Sequence, residues 1–365
     1  MKMIKKLIIQ FFILLLLLST LELSVRLFYN SPQSYSLKDF ILSEPQPFLN
    51  DPDYNVLVKN FTGECKMPAM LNFDGVIRYA DNFSCGGVSY YDGKRVTIPK
   101  LEKFNKTIHV FGGSTVWGTG ATDENTIPSL IAQNLLGKKI RVLNYGIASY
   151  VSSQQNTLLR SSFDEIKADD IVVYYDGGND YWNGVMQGNA EGNILGYNVK
   201  NKFDLYIYIL KNWLSQNLHL YQLLYDLKHN RSGKENLNCS VSSDFASSNI
   251  SSATSHYASQ IELAKSLTKS KGAEFYHFLQ PTLFDVNELT SYENRVLLNN
   301  PCWSIARDLK EEYDKYFLTK SLNTKDLSEI LNNKDVFFDY IHVSAKGNKI
   351  IVEEIIKEIG FLENN

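Results

Sequence analysis

Past residue 104 the chain alternates between short apolar runs and stretches whose apolar residues recur every three or four positions. TIHVF (107 to 111), RVLNY (141 to 145), DIVVYY (170 to 175) and AEFYHFLQP (273 to 281) have strand length and are bounded by polar or turn-forming residues. Between and after them, IPSLIAQNLL, QQNTLLRSSFDEI and a stretch carrying Tyr257, Ile261, Ala264 and Leu267 show helical spacing, the last ending at Gly272. A final helix carries Ile351, Ile355 and Ile359 and stops at Gly360. Strands alternating with helices predict an α/β protein with a parallel sheet covered by helices on both faces.

The rest of the chain departs from this rhythm. Lys2, Lys5 and Lys6 precede LIIQFFILLLLL, and apolar character continues to about Val25, close to the roughly 20 residues that cross a bilayer. Positive charge stays on the cytoplasmic side, so the remainder is expected outside. Residues 1–28 read as a signal anchor or a signal peptide. The anchor is favoured because no clean small-x-small site follows the leucines, and Glu22 and Arg26 fall near the outer interface. Residues 29–103 are polar and broken by Pro32, Pro45, Pro47, Pro52 and Pro68, and are expected as a stalk and irregular extension before a main domain of 104–365. Residues of about 181–252 interrupt that domain as a helical insertion. Within it, FDLYIYILKNWLSQNLHLYQLLYDL (203 to 227) is apolar nearly all round, the pattern of a helix packed on more than one side; the alternative is a helix resting on the membrane surface, against which basic residues are sparse on any polar face. CSVSSDFASSNISSATS (239 to 255) reads as a Ser-rich loop.

Composition narrows the chemistry. With 37 basic and 40 acidic residues interspersed and a net charge of -3, there is no basic stripe for nucleic acid to follow. Four cysteines, Cys65, Cys85, Cys239 and Cys302, in an exported chain favour two disulfides. Three pairings are open, Cys65 with Cys85 being nearest in the chain. None has CxxC spacing and no histidine cluster joins them, so no metal site is expected.

VFGGSTVWGTG (110 to 120) follows the first strand of the domain. It fits neither a phosphate loop nor a dinucleotide fingerprint, so no cofactor is expected. What remains is a tight strand-to-helix turn presenting Ser114 at the carboxyl edge of the sheet. Gly146 and Asn179 follow at intervals of 32 and 33 residues, each just past a predicted strand. One strand with its return helix takes roughly 30 residues, so all three should emerge on the same edge. A hydroxyl, a backbone N–H and a side-chain amide meeting there are what acyl transfer requires. The base is His342 in FDYIHVSAKG, with Asp339 three residues earlier to accept the imidazole Nδ1–H. His109 and His277 lie inside predicted strands as core residues, and His219, His229 and His256 have no suitable carboxylate beside them.

Read in order, GGST, NYGIAS, GGND and DYIH resemble the four sequence blocks of the SGNH hydrolase superfamily, the GDSL-like esterases, over about residues 105 to 360. One departure is Gly113, where many members carry Asp. The resemblance implies a three-layer α/β/α fold, Ser114 as nucleophile, His342 as base and Asp339 orienting it. The N–H groups of Ser114 and Gly146 and the Asn179 side chain would form the oxyanion hole. The implied function is that of an exported serine esterase taking acyl groups, acetyl above all, from a cell-envelope or extracellular glycan. Its partners would be an acylated carbohydrate or other small ester and, through the N-terminal helix, the membrane; no protein partner is predicted. An O-acyltransferase using the same triad, or a catalytically silent binding or assembly protein, are the alternatives.

Overall fold

Each apolar run read from the sequence is a strand in the computed structural model, which describes residues 2–28, 48–56, 69–71, 77–79, 82–192, 218–228, 241–321 and 323–360, with positions 207, 210, 214 and 239 between them. Strands β1 (Ala69–Leu71) and β2 (Ile77–Tyr79) pair antiparallel by themselves. The main sheet comprises β3 (Asn82–Cys85), β4 (Val88–Tyr91), β5 (Lys94–Arg95), β6 (Lys106–Gly112), β7 (Ile140–Gly146), β8 (Ile171–Asp176), β9 (Glu274–Leu279) and β10 (Thr324–Asp326). Their order is β10-β9-β8-β6-β7-β5-β4-β3. The five strands from β10 to β7 are parallel, and β8 is buried along its whole length, as expected of a strand covered on both faces. Because the chain passes from β6 to β7 on one side and then to β8 on the other, the carboxyl end of β6 lies at a topological switch point, where open α/β sheets bind ligands.

The segment expected to be irregular supplies β3, β4 and β5, which extend the sheet antiparallel, joined to β7 through Arg95 opposite Asn144. Two tight turns build this meander. Gly86 and Gly87 have φ of 59° and 85°, Asp92 and Gly93 have 53° and 68°, and two successive left-handed residues match the twist of a two-residue hairpin.

Among the helices, α1 (Lys2–Phe28) is followed by α2 (Ser114–Trp117), α3 (Ile127–Asn134), α4 (Ser152–Ser161) and α5 (Gly178–Tyr181). Then come α6 (His219–Lys228), α7 (Ser243–Ser270), α8 (Ser291–Leu298), α9 (Pro301–Lys320) and α10 (Ala345–Glu358). Helix α3 packs with α10, and α7 packs with α4 and α9, giving a mixed sheet with helices on both sides. The predicted Ser-rich loop is instead the first half of α7. Ser242 caps it by accepting from the Phe245 N–H at 3.2 Å, and Ala246, Ile250, Ala253 and Tyr257 form a buried stripe. The serines turn inward on the backbone: Ser248 donates to Phe245 O, Ser252 to Asn249 O and Ser255 to Ser251 O. Local hydroxyl-to-carbonyl bonds of this kind let a polar run stay helical.

The chain divides into two compact units. One joins Met1–Ser36 with Tyr197–Leu237, the other joins Leu37–Gly196 with Asn238–Asn365. In the first, Ile9–Leu27 is long and apolar enough to cross a membrane. In the second, Cys239 and Cys302 form a disulfide and Cys85 is disulfide-bonded as well. Cys65, most of the expected stalk and most of 203–217 lie outside the described residues.

Candidate active site

Ser114 begins α2 directly after β6, and its residue is only 8 % exposed. The short helix lies on the ends of the neighbouring strands, which explains the glycines around it. A Cβ on Gly146 would fall 2.1 Å from the Trp117 nitrogen, so β7 must end in glycine for α2 to rest on it. A Cβ on Gly113 would fall 2.5 Å from Asn179 Nδ2, so a larger residue there would collide with that amide.

Polar side chains tie the turn to its surroundings. Asn144 Nδ2 donates to Val116 O at 2.9 Å while its Oδ1 accepts the Gly146 N–H at 2.8 Å. Arg95 is fully buried and donates through Nη1 to Trp117 O at 2.7 Å and Gly118 O at 2.6 Å, and through Nη2 to Ala121 O at 2.5 Å. These are carbonyls at and just beyond the carboxyl end of α2, where helical oxygens lack partners. Its Nε pairs with Asp123 Oδ1 at 3.1 Å, and its guanidinium lies 4.7 Å from the centre of the Trp117 ring. Burial pulls the guanidinium pKa down and the Asp123 charge opposes that shift.

Across the switch point, β8 ends at Asp176, and Asn179 and Asp180 follow on α5. Asn179 Nδ2 donates to Tyr150 O at 2.9 Å. Asp180 accepts from Ser152 through both the backbone N–H, at 3.0 Å, and Oγ, at 2.5 Å. Together they clamp the loop after β7, in which Ser149 has φ of 65°, to α5. Burial first, and then the charge of Asp176, push the Asp180 carboxyl up to about 8.

The last component comes from the loop before α10. His342 Nε2 is 2.7 Å from Ser114 Oγ, and His342 Nδ1 is 2.6 Å from Asp339 Oδ2. Asp339 is 3 % exposed, and its Oδ1 accepts the N–H groups of Ile341 at 2.8 Å and His342 at 2.7 Å. A carboxylate held by backbone donors can only accept, so the proton between the pair sits on Nδ1. That leaves the Nε2 lone pair facing the serine hydroxyl. The His342 ring stacks on Phe338 at 5.8 Å, and Phe338 packs edge-on against Phe48 at 6.0 Å.

The structure thus brings Ser114, His342 and Asp339 into one hydrogen-bonded chain and sets Asn179 against Gly113, beside the nucleophile turn. Gly146 is placed differently from the expectation. Its N–H is engaged by the Asn144 side chain, and its role is to let α2 approach β7. His109 and His277 are buried in β6 and β9, paired with Asp170 at 3.2 Å and Asp176 at 3.0 Å.

A family model of GDSL-like lipase/acylhydrolase matches residues 108–355. The chain belongs to this family. As a GDSL-like acylhydrolase it is an ester-bond hydrolase. No curated protein matches it. Solved structures similar in fold include a lipolytic G-D-S-L protein from Veillonella parvula, 11 % identical with a TM-score of 0.38 over 71 % of this chain and 100 % of that one. A catalytic mutant of an acetylxylan esterase from Geobacillus stearothermophilus is 13 % identical with a TM-score of 0.38, over 72 % and 99 %. An inhibitor-bound aryl esterase from M. smegmatis is 12 % identical with a TM-score of 0.39, over 70 % and 98 %.

Sequence reasoning missed several residues that shape this acylhydrolase's site. Asp180 adjoins Asn179 in GGND, and Asn144 opens NYGIAS, so both stood inside motifs already singled out. Ser152 caps nothing in the sequence pattern that would mark it. Arg95 and Phe48 lie in the segment read as irregular. The Gly-Gly and Asp-Gly pairs at 86–87 and 92–93 were the available signal for the meander that carries Arg95.

Proposed function

We propose that this protein is an exported serine esterase that removes acyl groups, acetyl among them, from a cell-envelope or extracellular glycan through an acyl-serine intermediate. The observation that carries the reading is the 2.7 Å contact of His342 Nε2 with Ser114 Oγ, continued at 2.6 Å to Asp339. In the first half-reaction Oγ attacks the ester carbonyl carbon and its proton passes to Nε2. The tetrahedral oxyanion is met by the Ser114 N–H, which has no acceptor within its own helix turn. The second hydrogen of Asn179 Nδ2, left over from the bond to Tyr150 O, completes the donor pair. Collapse expels the alcohol, which takes the proton back from His342. Water then repeats the sequence on the acyl-serine and releases the acid.

The glycan follows from location. An N-terminal apolar helix and bridged cysteines fit an oxidising compartment outside the cytoplasm. There, acylated surface polysaccharides are among the esters within reach of an anchored domain. A fluorophosphonate probe should label the wild-type chain and leave Ser114→Ala unlabelled; equal labelling of both would remove Ser114 from the chemistry. Asn179→Ala should retain labelling but lose about 100- to 1,000-fold in kcat on acetylated sugars. Screening acetylated oligosaccharides against long-chain esters tests the substrate class, and preference for the latter would overturn it. Partition of the acyl group between water and an added sugar hydroxyl measures any transferase activity.

A further inference from the structure

The Met1–Ser36 and Tyr197–Leu237 unit carries a carboxylate where none is comfortable. Glu22 lies within the Ile9–Leu27 span, five residues before its end, which is about 7 Å of helix rise. Ionised groups at that depth are retained only with partners. Glu22 finds one on its own helix, Arg26 Nε at 2.8 Å. It finds two more at the start of α6, accepting the His219 N–H on Oε1 at 2.9 Å and the Leu220 N–H on Oε2 at 2.8 Å. The carboxylate therefore caps α6, satisfying two of the donors that a helix leaves open at its amino end.

This cap fixes where α6 begins relative to the span, at the end of α1 opposite the lysines. The surrounding sequence suits that depth. Residues 203–227 hold six aromatics, Phe203, Tyr206, Tyr208, Trp213, Tyr221 and Tyr225, in 25 positions, against 13 % for the whole chain. Trp and Tyr concentrate at the membrane–water boundary, where a ring and a polar tip face different media. Leu210 and Leu224 are 51 % and 57 % exposed, and α1 itself leaves its leucines uncovered. Exposed leucines thus occur on both the span and the insertion.

We propose that α6 is a membrane-docking element that lies in the outer lipid interface, fastened to the N-terminal helix by the Glu22 cap. Its partner is a lipid surface, and the proposal rests on the reading of the chain as exported and anchored. The element holds the chain to the bilayer at a second place. Of the two readings of 203–227, it takes the helix at the membrane surface.

The test uses the full chain reconstituted in phosphatidylcholine–phosphatidylglycerol vesicles, with an NBD label on Leu224→Cys and, as control, on Lys357→Cys, whose parent lysine side chain is 68 % exposed on α10. Blue-shifted emission at 224, quenched by lipids with a nitroxide near the headgroup, is expected, with neither effect at 357. Water-like emission at both positions overturns the proposal. In Glu22→Ala the amides of His219 and Leu220 should lose their protection from hydrogen exchange, and unchanged protection overturns the cap. An exported chain whose mass lacks residues 1–28 overturns the whole arrangement. None of these readouts depends on ester hydrolysis, so failure of the esterase reading would show separately, as loss of probe labelling at Ser114.

Discussion

The two halves of the proposed catalytic chain are held in opposite ways. The nucleophile turn is gripped by charge. Arg95, buried without exposure, reaches from β5 to the carbonyls that end α2 and is itself neutralised by Asp123. The loop that carries His342 is gripped by rings and by its own backbone. Phe338 lies between His342 and Phe48, Phe338 N–H donates to His342 O, and Asp339 is satisfied by donors two and three residues away. A buried ion pair is unforgiving because removing one partner strands the other. Apolar packing fails by degrees, according to how far the site can collapse. The hydroxyl is thus aimed by a brace that either holds or breaks, and the imidazole by one that can loosen.

The largest test strikes where the halves meet. Ser114→Ala and His342→Ala should each reduce kcat by at least about 10,000-fold, and the double variant should be no worse than either, because residues of such a unit act together. Additive losses in steady-state kinetics would mean that the two do not share one proton transfer.

Next comes the polar brace. Arg95→Met leaves Asp123 buried without its cation and should lower stability by about 3 to 5 kcal/mol. Adding Asp123→Asn should restore much of the thermal stability by removing the stranded charge, yet kcat should stay depressed with KM little changed, since the α2 carbonyls remain unbraced. Full recovery of kcat in the double variant would show that Arg95 only stabilises and does not aim the turn.

Phe48→Ala tests the ring brace. Removing a buried phenylalanine costs about 3 to 5 kcal/mol in a tight core, and here the loss should sit at the low end, since Phe48 comes from a short 3-10 turn at Phe48–Asn50. Phe48→Leu should recover most of it, as fits shape without charge. A uniform loss of kcat in both variants, as large as that of Arg95→Met, would erase the contrast between the halves.

The smallest effect concerns Asp180, which touches neither half but clamps the loop after β7 to α5. Between the ordinary carboxylate range and about 8 the folded chain keeps a proton on Asp180 that the unfolded chain has released. Stability contributed by this group therefore falls as pH rises through that window and levels off above it. Asp180→Asn, a neutral mimic, should flatten that slope in pH-dependent thermal melts while leaving activity near neutrality almost intact. An unchanged slope would place the titration elsewhere.

Much of this was legible in the chain. β6 and β8 are apolar runs buried on both faces nearly throughout, β7 and β9 are runs buried toward their carboxyl ends, and GGST, GGND and DYIH put Ser114, Asn179, Asp339 and His342 at turns. Gly146 was read for the wrong reason. A glycine after a strand signals close approach, but only coordinates tell whether a substrate oxygen or a neighbouring helix is approaching, and here it is the Trp117 nitrogen. Helix α7 was half missed because serine frequency hid the Ala246, Ile250, Ala253 stripe. Arg95 was illegible for a deeper reason. Its meaning comes from pairing with Asn144 and Asp123 across long separations, and an arginine beside Lys94 after an Asp-Gly turn looks like surface. The matched segment begins at residue 108, so Arg95 and Phe48, one member of each brace, lie outside the matched part of the chain.

Ser114 and the imidazole proposed to activate it stand 228 residues apart in the chain. If, as proposed, the chain is exported and leaves the cytoplasm amino end first, the serine emerges long before that imidazole. On the proposed mechanism a polypeptide still threading outward is harmless to esters, and hydrolysis begins only once both have been delivered.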